Sequence, residues 1–177
     1  MYQGSRSDGS DAFADSVSSV AIQLSAAIAI AKNKSKDIGS TDGMTHTAKT
    51  SPYHSAWLDR VDRDLVEVEQ ALGAGDFERI AEIVEGSCLA MHADAMAARP
   101  GILYFGPSTL WAIARVRELR QQGVPVFFTI DAGPHLVAFC EPSALVRVYS
   151  ALREHPEIET VYTSVIGGPA EIVSEAR

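Results

Sequence analysis

The chain has only two cysteines, Cys88 and Cys140, in 177 residues. That is too few for a disulfide framework. Both stand in apolar runs, which reads as buried free thiols. Positive charge is also scarce: 15 Lys and Arg face 23 Asp and Glu, a net charge of −8. This balance argues against a general nucleic-acid binder. It leaves anionic ligands open, because local charge can oppose net charge. No long apolar run occurs. The most apolar early stretch, 17–31, is broken by Ser18, Ser19, Gln23 and Ser25 and is too short to span a bilayer. The start carries no charged-then-apolar signal. The reading is a cytoplasmic protein with no membrane partner. His46, His54, His92, His135 and His155 show no zinc spacing, so no metal site is expected. There is no nucleophile elbow, no dinucleotide fingerprint and no phosphate loop. Gly167-Gly168-Pro169 lacks the basic helix start such a loop needs.

What remains is ordinary globular material, 46% apolar and 21% charged, enough for one core. Residues 1–18 are polar and Gly/Ser-rich and read as a flexible leading segment, with the domain at 19–177. In 20–31, Ile22, Leu24, Ala26, Ile28 and Ile30 alternate with smaller or polar residues. That period of two predicts a strand with its apolar side on the even positions; the many alanines keep a helix as the alternative. Residues 32–44 read as a loop. Ser51 and Pro52 predict a helix start, followed by Trp57, Leu58, Val61, Leu65, Val68 and Leu72 at helical spacing. Gly73 and Gly75 stop it and Asp76 caps the next, whose stripe includes Ile80, Ile83, Cys88, Met91 and Ala95.

Arg99-Pro100-Gly101 ends that helix, and 102–105 is a short strand or a packed connector. Pro107 opens a third helix framed on Leu110, Ile113, Ala114, Arg117 and Leu119. Residues 124–140 read as a hairpin, Pro142 starts a fourth helix, and 160–165 is a last strand. Strands and helices mix without strict alternation. The fold class expected is α+β, a mostly antiparallel sheet with helices packed on one face.

The hairpin holds the most pointed feature. An apolar run delivers Asp131 into a turn made by Ala132, Gly133 and Pro134, where a ligand can approach the backbone. Asp is also common in turns because it accepts bonds from their amides, so the residue alone leaves both readings open. The segment 39–44, GSTDGM, has the composition of a plain polar loop. Lys32, Lys34 and Lys36 read as a solvated strand end, with phosphate binding as the lesser account.

Taken together, the turn at 128–135, GSTDGM at 39–44, HTAKTSP at 46–52 and MHADAMAARP at 91–100 resemble the mevalonate diphosphate decarboxylases. These belong to the small-molecule kinase superfamily with homoserine and mevalonate kinases. The likeness covers only their C-terminal part, a ferredoxin-like domain. It implies that Asp131 is catalytic, facing the tertiary hydroxyl of mevalonate diphosphate. Ser40 and Met44 match substrate-contacting residues. Asp131 also separates the chain from mevalonate 3-kinases, which lack this acid, while His135 stands where relatives usually carry Asn.

By the same resemblance the reaction consumes ATP with magnesium and releases isopentenyl diphosphate and carbon dioxide. The phosphate loop lies in an N-terminal half not found here. The chain is therefore expected to be inactive alone, with that half as its partner, and the whole a homodimer. The alternatives are a non-catalytic binding or dimerisation module and one chain of a split enzyme.

Overall fold

A computed structural model describes residues 2–3, 10–11, 13–14, 17, 19–32 and 38–167. Lys34, Lys36, Gly168, Pro169 and most of the 1–18 segment, on which readings were made above, lie outside these. Two short strands, β1 (Tyr2–Gln3) and β2 (Phe13–Ala14), pair antiparallel near the start. The main sheet contains β3 (Ser25–Ala31), β4 (Val126–Thr129), β5 (Leu136–Cys140) and β6 (Ile158–Val165). Its order is β4-β5-β3-β6, and every neighbouring pair is antiparallel. Five helices accompany it: α1 (Ser40–Thr50), α2 (His54–Ala74), α3 (Phe77–Ala97), α4 (Pro107–Gln121) and α5 (Leu145–Leu152). The α+β class and the antiparallel sheet are as expected, but helices pack on both faces of the sheet rather than on one. No described helix is long and apolar enough to cross a membrane.

The principal core lies between the sheet and α4 and α5. Ala27, Ala29, Phe128, Leu136 and Ala138 meet Val116, Leu119, Val148 and Leu152 there. Helices α2 and α3 also cover part of the opposite face, through Phe127 and Phe139 against Ile80, Ile83 and Leu72. The strand reading of 20–31 holds from Ser25 onward, but its deepest side is the other one. Ala27, Ala29 and Ala31 are buried, while Ile28 and Ile30 are only half-buried. The small side chains let α5 approach the sheet closely; the larger isoleucines occupy the less covered face.

Local signals explain most boundaries. Gly75, at φ 69°, closes α2 in the left-handed region that favours glycine. Asp76 Oδ1 accepts the Arg79 N–H at 3.0 Å and starts α3. The stretch 102–105 is a packed connector with Ile102 and Tyr104 buried. Pro142 begins a short 3-10 turn (Pro142–Ala144) that runs into α5.

Three further readings are corrected. The 32–44 loop gives way at Ser40 to α1, because Ser, Thr and Asp also suit a first helical turn, where Asp42 meets the helix dipole. Ser51 and Pro52 lie in the α1–α2 corner rather than inside α2; the Ser51 hydroxyl accepts the Tyr53 N–H at 3.3 Å. On α4, Leu110 is exposed and Arg117 and Ala114 face outward. Ala112 and Val116 join Ile113 and Leu119 in the core instead.

Candidate functional site

The outer edge of β4 determines where the site stands. An edge strand presents unpaired main-chain groups. Here α3 and α4 take them up with side chains. Arg120 Nε donates to the Val126 carbonyl at 2.8 Å. Phe128 N–H donates to Glu85 Oε1 at 3.2 Å. Ile130 N–H donates to Cys88 Sγ at 3.2 Å, and the Ile130 carbonyl lies 3.2 Å from His92 Nε2. Glu85 and Arg120 are also ion-paired. Residues 85, 88 and 92 are three and four apart, so they share one face of α3. Polar groups in an otherwise apolar stripe were the sequence signal for this, and it went unread.

Asp131 follows directly. It is exposed, while Ala132, Gly133 and Pro134 behind it are buried. The turn closes through its backbone: Gly133 N–H donates to the Asp131 carbonyl at 2.7 Å. Thr109, in the first turn of α4, donates to the Pro134 carbonyl at 2.9 Å and accepts the Gly106 N–H at 3.1 Å. Among the described residues the Asp131 carboxylate has no hydrogen-bond or ion-pair partner. It therefore does not cap its own turn, as the plain turn-chemistry account requires. Beside it, burial pushes the His92 imidazole below its ordinary pKa, against opposing pulls from the Ile130 carbonyl and the Asp131 charge. A neutral His92 leaves that charge uncompensated.

His135, at the far side of the turn, accepts the Ala31 N–H on Nδ1 at 3.2 Å. Ala31 sits at an irregularity in the β3–β6 ladder. The imidazole thus fastens the end of β3 to the turn, a task that needs only an acceptor at this position.

Ser40 is exposed in the first turn of α1 and Met44 is half-buried one turn later. Between them, Gly43 is buried against Tyr104 and Ile102. The same two side chains pack on Ala132, next to Asp131, together with Ala95 and Ile38. The start of α1 and the Asp131 turn therefore share one small cluster. Tyr104 and Thr109 were missed at the sequence level: a Tyr in an apolar run and a Thr after Pro107 carry no distinctive pattern.

Other candidates are placed elsewhere. Lys32 Nζ donates to the Pro156 carbonyl at 2.7 Å, a structural contact. His46 meets the Pro100 carbonyl, His54 meets Asp94 at 2.9 Å, and His155 packs on Trp111. His92 is buried and packs on Phe105. A groove of about 410 Å3 between α2 and α3 is lined by Trp57, Val61, Leu65 and Met91, and by none of the three candidate site residues. Among the described residues no group of three His, Cys, Asp or Glu is placed to hold a metal ion.

Comparison with known proteins agrees with the resemblance. Residues 26–176 match the family model described as the mevalonate 5-diphosphate decarboxylase C-terminal domain. The chain is 30% identical over 146 residues to diphosphomevalonate decarboxylase of Candida albicans, covering 80% of this chain and 40% of that protein. It is 30% identical over 131 residues to phosphomevalonate decarboxylase of Haloferax volcanii, covering 73% and 40%. The Staphylococcus aureus mevalonate diphosphate decarboxylase structure superposes with a TM-score of 0.79 at 30% identity, covering 85% and 46%. The Enterococcus faecalis enzyme gives 0.73 at 35% identity, covering 82% and 43%. The chain thus spans less than half the length of these relatives, and it belongs to the mevalonate 5-diphosphate decarboxylase family, whose C-terminal domain it matches.

Proposed function

We propose that the chain forms the C-terminal part of an ATP-dependent decarboxylase acting on a phosphorylated mevalonate, with Asp131 as its catalytic carboxylate. One observation carries this: an exposed acid, without a partner among the described residues, at the end of a strand whose outer edge is held by side chains. An uncompensated carboxylate accepts a hydrogen bond from an alcohol and takes its proton as the oxygen reacts. In the proposed reaction the tertiary hydroxyl oxygen bonds to the terminal phosphorus of ATP as the bond to ADP breaks, and its proton passes to Asp131. The carbon–oxygen bond to the new phosphate and the carbon–carbon bond to the carboxylate then break. The electron pair of the broken carbon–carbon bond forms the double bond, the carboxylate becomes carbon dioxide, and phosphate leaves with the carbon–oxygen pair. Ser40 and Met44 are proposed to border the substrate from α1.

ATP and magnesium are assigned to the part of the longer relatives that this chain does not span. The described residues offer no cluster of His, Cys, Asp or Glu placed to hold a metal ion. The Enterococcus relative's structure is described in terms of ATP binding mediated by mevalonate diphosphate, which supports ATP as co-substrate. The reading also includes a homodimer in the cytoplasm, checked by light scattering and fractionation.

The test is an assay of a polypeptide joining this chain to the part of its relatives that it does not span, with ATP, magnesium and either mevalonate diphosphate or mevalonate 5-phosphate. Both are included because the Haloferax relative is named for the monophosphate substrate. The expected result is carbon dioxide release with one of them and none from the 177-residue chain alone. No decarboxylation of either substrate contradicts the proposal and favours a non-catalytic module.

A further inference from the structure

Glycine at position 43 has no backbone cause. Among the described glycines only Gly75 and Gly123 have positive φ. Gly43 lies inside α1, where Ala is the better helix former. The cause is steric. A Cβ on Gly43 would run into the Tyr104 Oη, far inside contact distance, yet it would lie 3.5 Å from Tyr104 Cζ and 3.6 Å from Ile102 Cδ1. The last two are ordinary contacts. Only the hydroxyl oxygen forbids a side chain there.

The ring cannot swing aside. Tyr104 is 8% exposed and packed with Ala95, Ile102 and Ala132, and His92 meets its edge. Gly86 shows the contrast. A Cβ there would meet the end of Arg60, a long, partly exposed side chain tied by an ion pair to Asp64 at 3.0 Å, which can shift without moving the backbone. Among the described residues the Tyr104 hydroxyl also has no hydrogen-bond partner, although it is buried. A buried hydroxyl left unpaired is costly, so hydrogen bonding does not account for the tyrosine here.

We infer that Tyr104 is a positioning residue: wedged between Gly43 of α1 and Ala132, it sets the spacing between Ser40 and Met44 on one side and Asp131 on the other. The inference rests on the proposed function for its catalytic consequence but not for its geometry. Tyr104 fixes distance by size, and Gly43 is the matching recess.

The experiment is a double-mutant cycle of Gly43→Ala and Tyr104→Phe, first in this chain. In the wild-type background Gly43→Ala is expected to lower Tm by about 5 °C, through overpacking. In the Tyr104→Phe background, where the obstructing oxygen is gone, the same change is expected to raise Tm by about 2 °C, through helix propensity. The amide resonance of Gly133, in the Asp131 turn, should move in the Gly43→Ala variant and return in the double variant. In the longer polypeptide, Gly43→Ala should reduce kcat/KM about tenfold or more, and the double variant should recover to within about threefold of wild type.

If Gly43→Ala shifts Tm in the same direction in both backgrounds, or leaves the Gly133 resonance in place, the inference fails. If wild type decarboxylates neither mevalonate phosphate, the proposed function fails instead. The Tm sign and the Gly133 resonance then still decide the spacing.

Discussion

The sheet has two outer edges, and they are finished differently. Along β4, Glu85, Cys88, His92 and Arg120 take up main-chain groups of Val126, Phe128 and Ile130. Along β6, most residues are exposed, including Tyr162 at 60% and Val165 at 71%. The held edge ends in Asp131; among the described residues the more exposed β6 edge leads to no candidate residue. Side-chain bonds to a strand edge cost ordering entropy and desolvation, so they repay where a fixed endpoint is needed. Among the described residues they are concentrated on the strand that presents the carboxylate.

The largest effect should come from breaking the held edge at its centre. Glu85→Ala leaves Arg120 unpaired and Phe128 N–H without its acceptor. A loss of about 3 kcal/mol is expected in urea unfolding. Removing both partners, in Glu85→Ala/Arg120→Ala, should cost less than the sum of the two single changes, because each single change strands a charge.

His92→Phe removes the contact to the Ile130 carbonyl while keeping an aromatic ring, and should cost about 1–2 kcal/mol near pH 7. Its pH dependence has a definite sign. Burial places the folded His92 pKa below its unfolded value, so its contribution is present above the unfolded pKa, roughly 6.5, and is lost as pH falls toward the folded one. The stability gap between wild type and His92→Phe should therefore narrow from pH 7 to pH 5. A gap that widens on acidification would place a charged imidazole in the native state.

Cys88→Ala should cost about 1 kcal/mol, because Sγ is both a packing atom and a weak acceptor for Ile130 N–H. The thiols supply a second readout. Burial raises both, and Cys140 is pushed up to about 11. With folded values above unfolded ones, this stability is complete below the unfolded thiol pKa and is lost as pH rises. Native protein at pH 8 should react slowly with a thiol reagent at both positions, and rapidly in urea.

The smallest effect belongs to the open edge. Tyr162→Lys should change stability by no more than about 0.5 kcal/mol. A loss comparable to that of Glu85→Ala would erase the contrast between the edges.

What could be read from the sequence depended on how local the cause was. The hairpin around Asp131, the Asp76 cap and the Gly75 stop are each set by residues within a few positions, and they were legible. The start of α1 was not: Gly39 and Gly43 look like loop residues, and the reason for Gly43 is Tyr104, sixty-one positions away. The buried side of β3 was misread because apolarity alone favours isoleucine for the core, whereas close helix packing selected alanine. For the site, Asp131 stood out only through its setting, and Ser40 and Met44 only through resemblance. The holding residues on α3 and the wedge at Tyr104 depend on tertiary contacts.

The most direct measurement is ATP-dependent carbon dioxide release by the longer polypeptide carrying Asp131→Asn, alongside its Tm. The substitution keeps shape and removes the charge. Turnover is expected to fall by about a thousandfold or more, while Tm stays within about 2 °C of wild type, because the carboxylate has no hydrogen-bond or ion-pair partner among the described residues. Turnover near the wild-type level would contradict a catalytic role for Asp131 and return it to the turn it occupies.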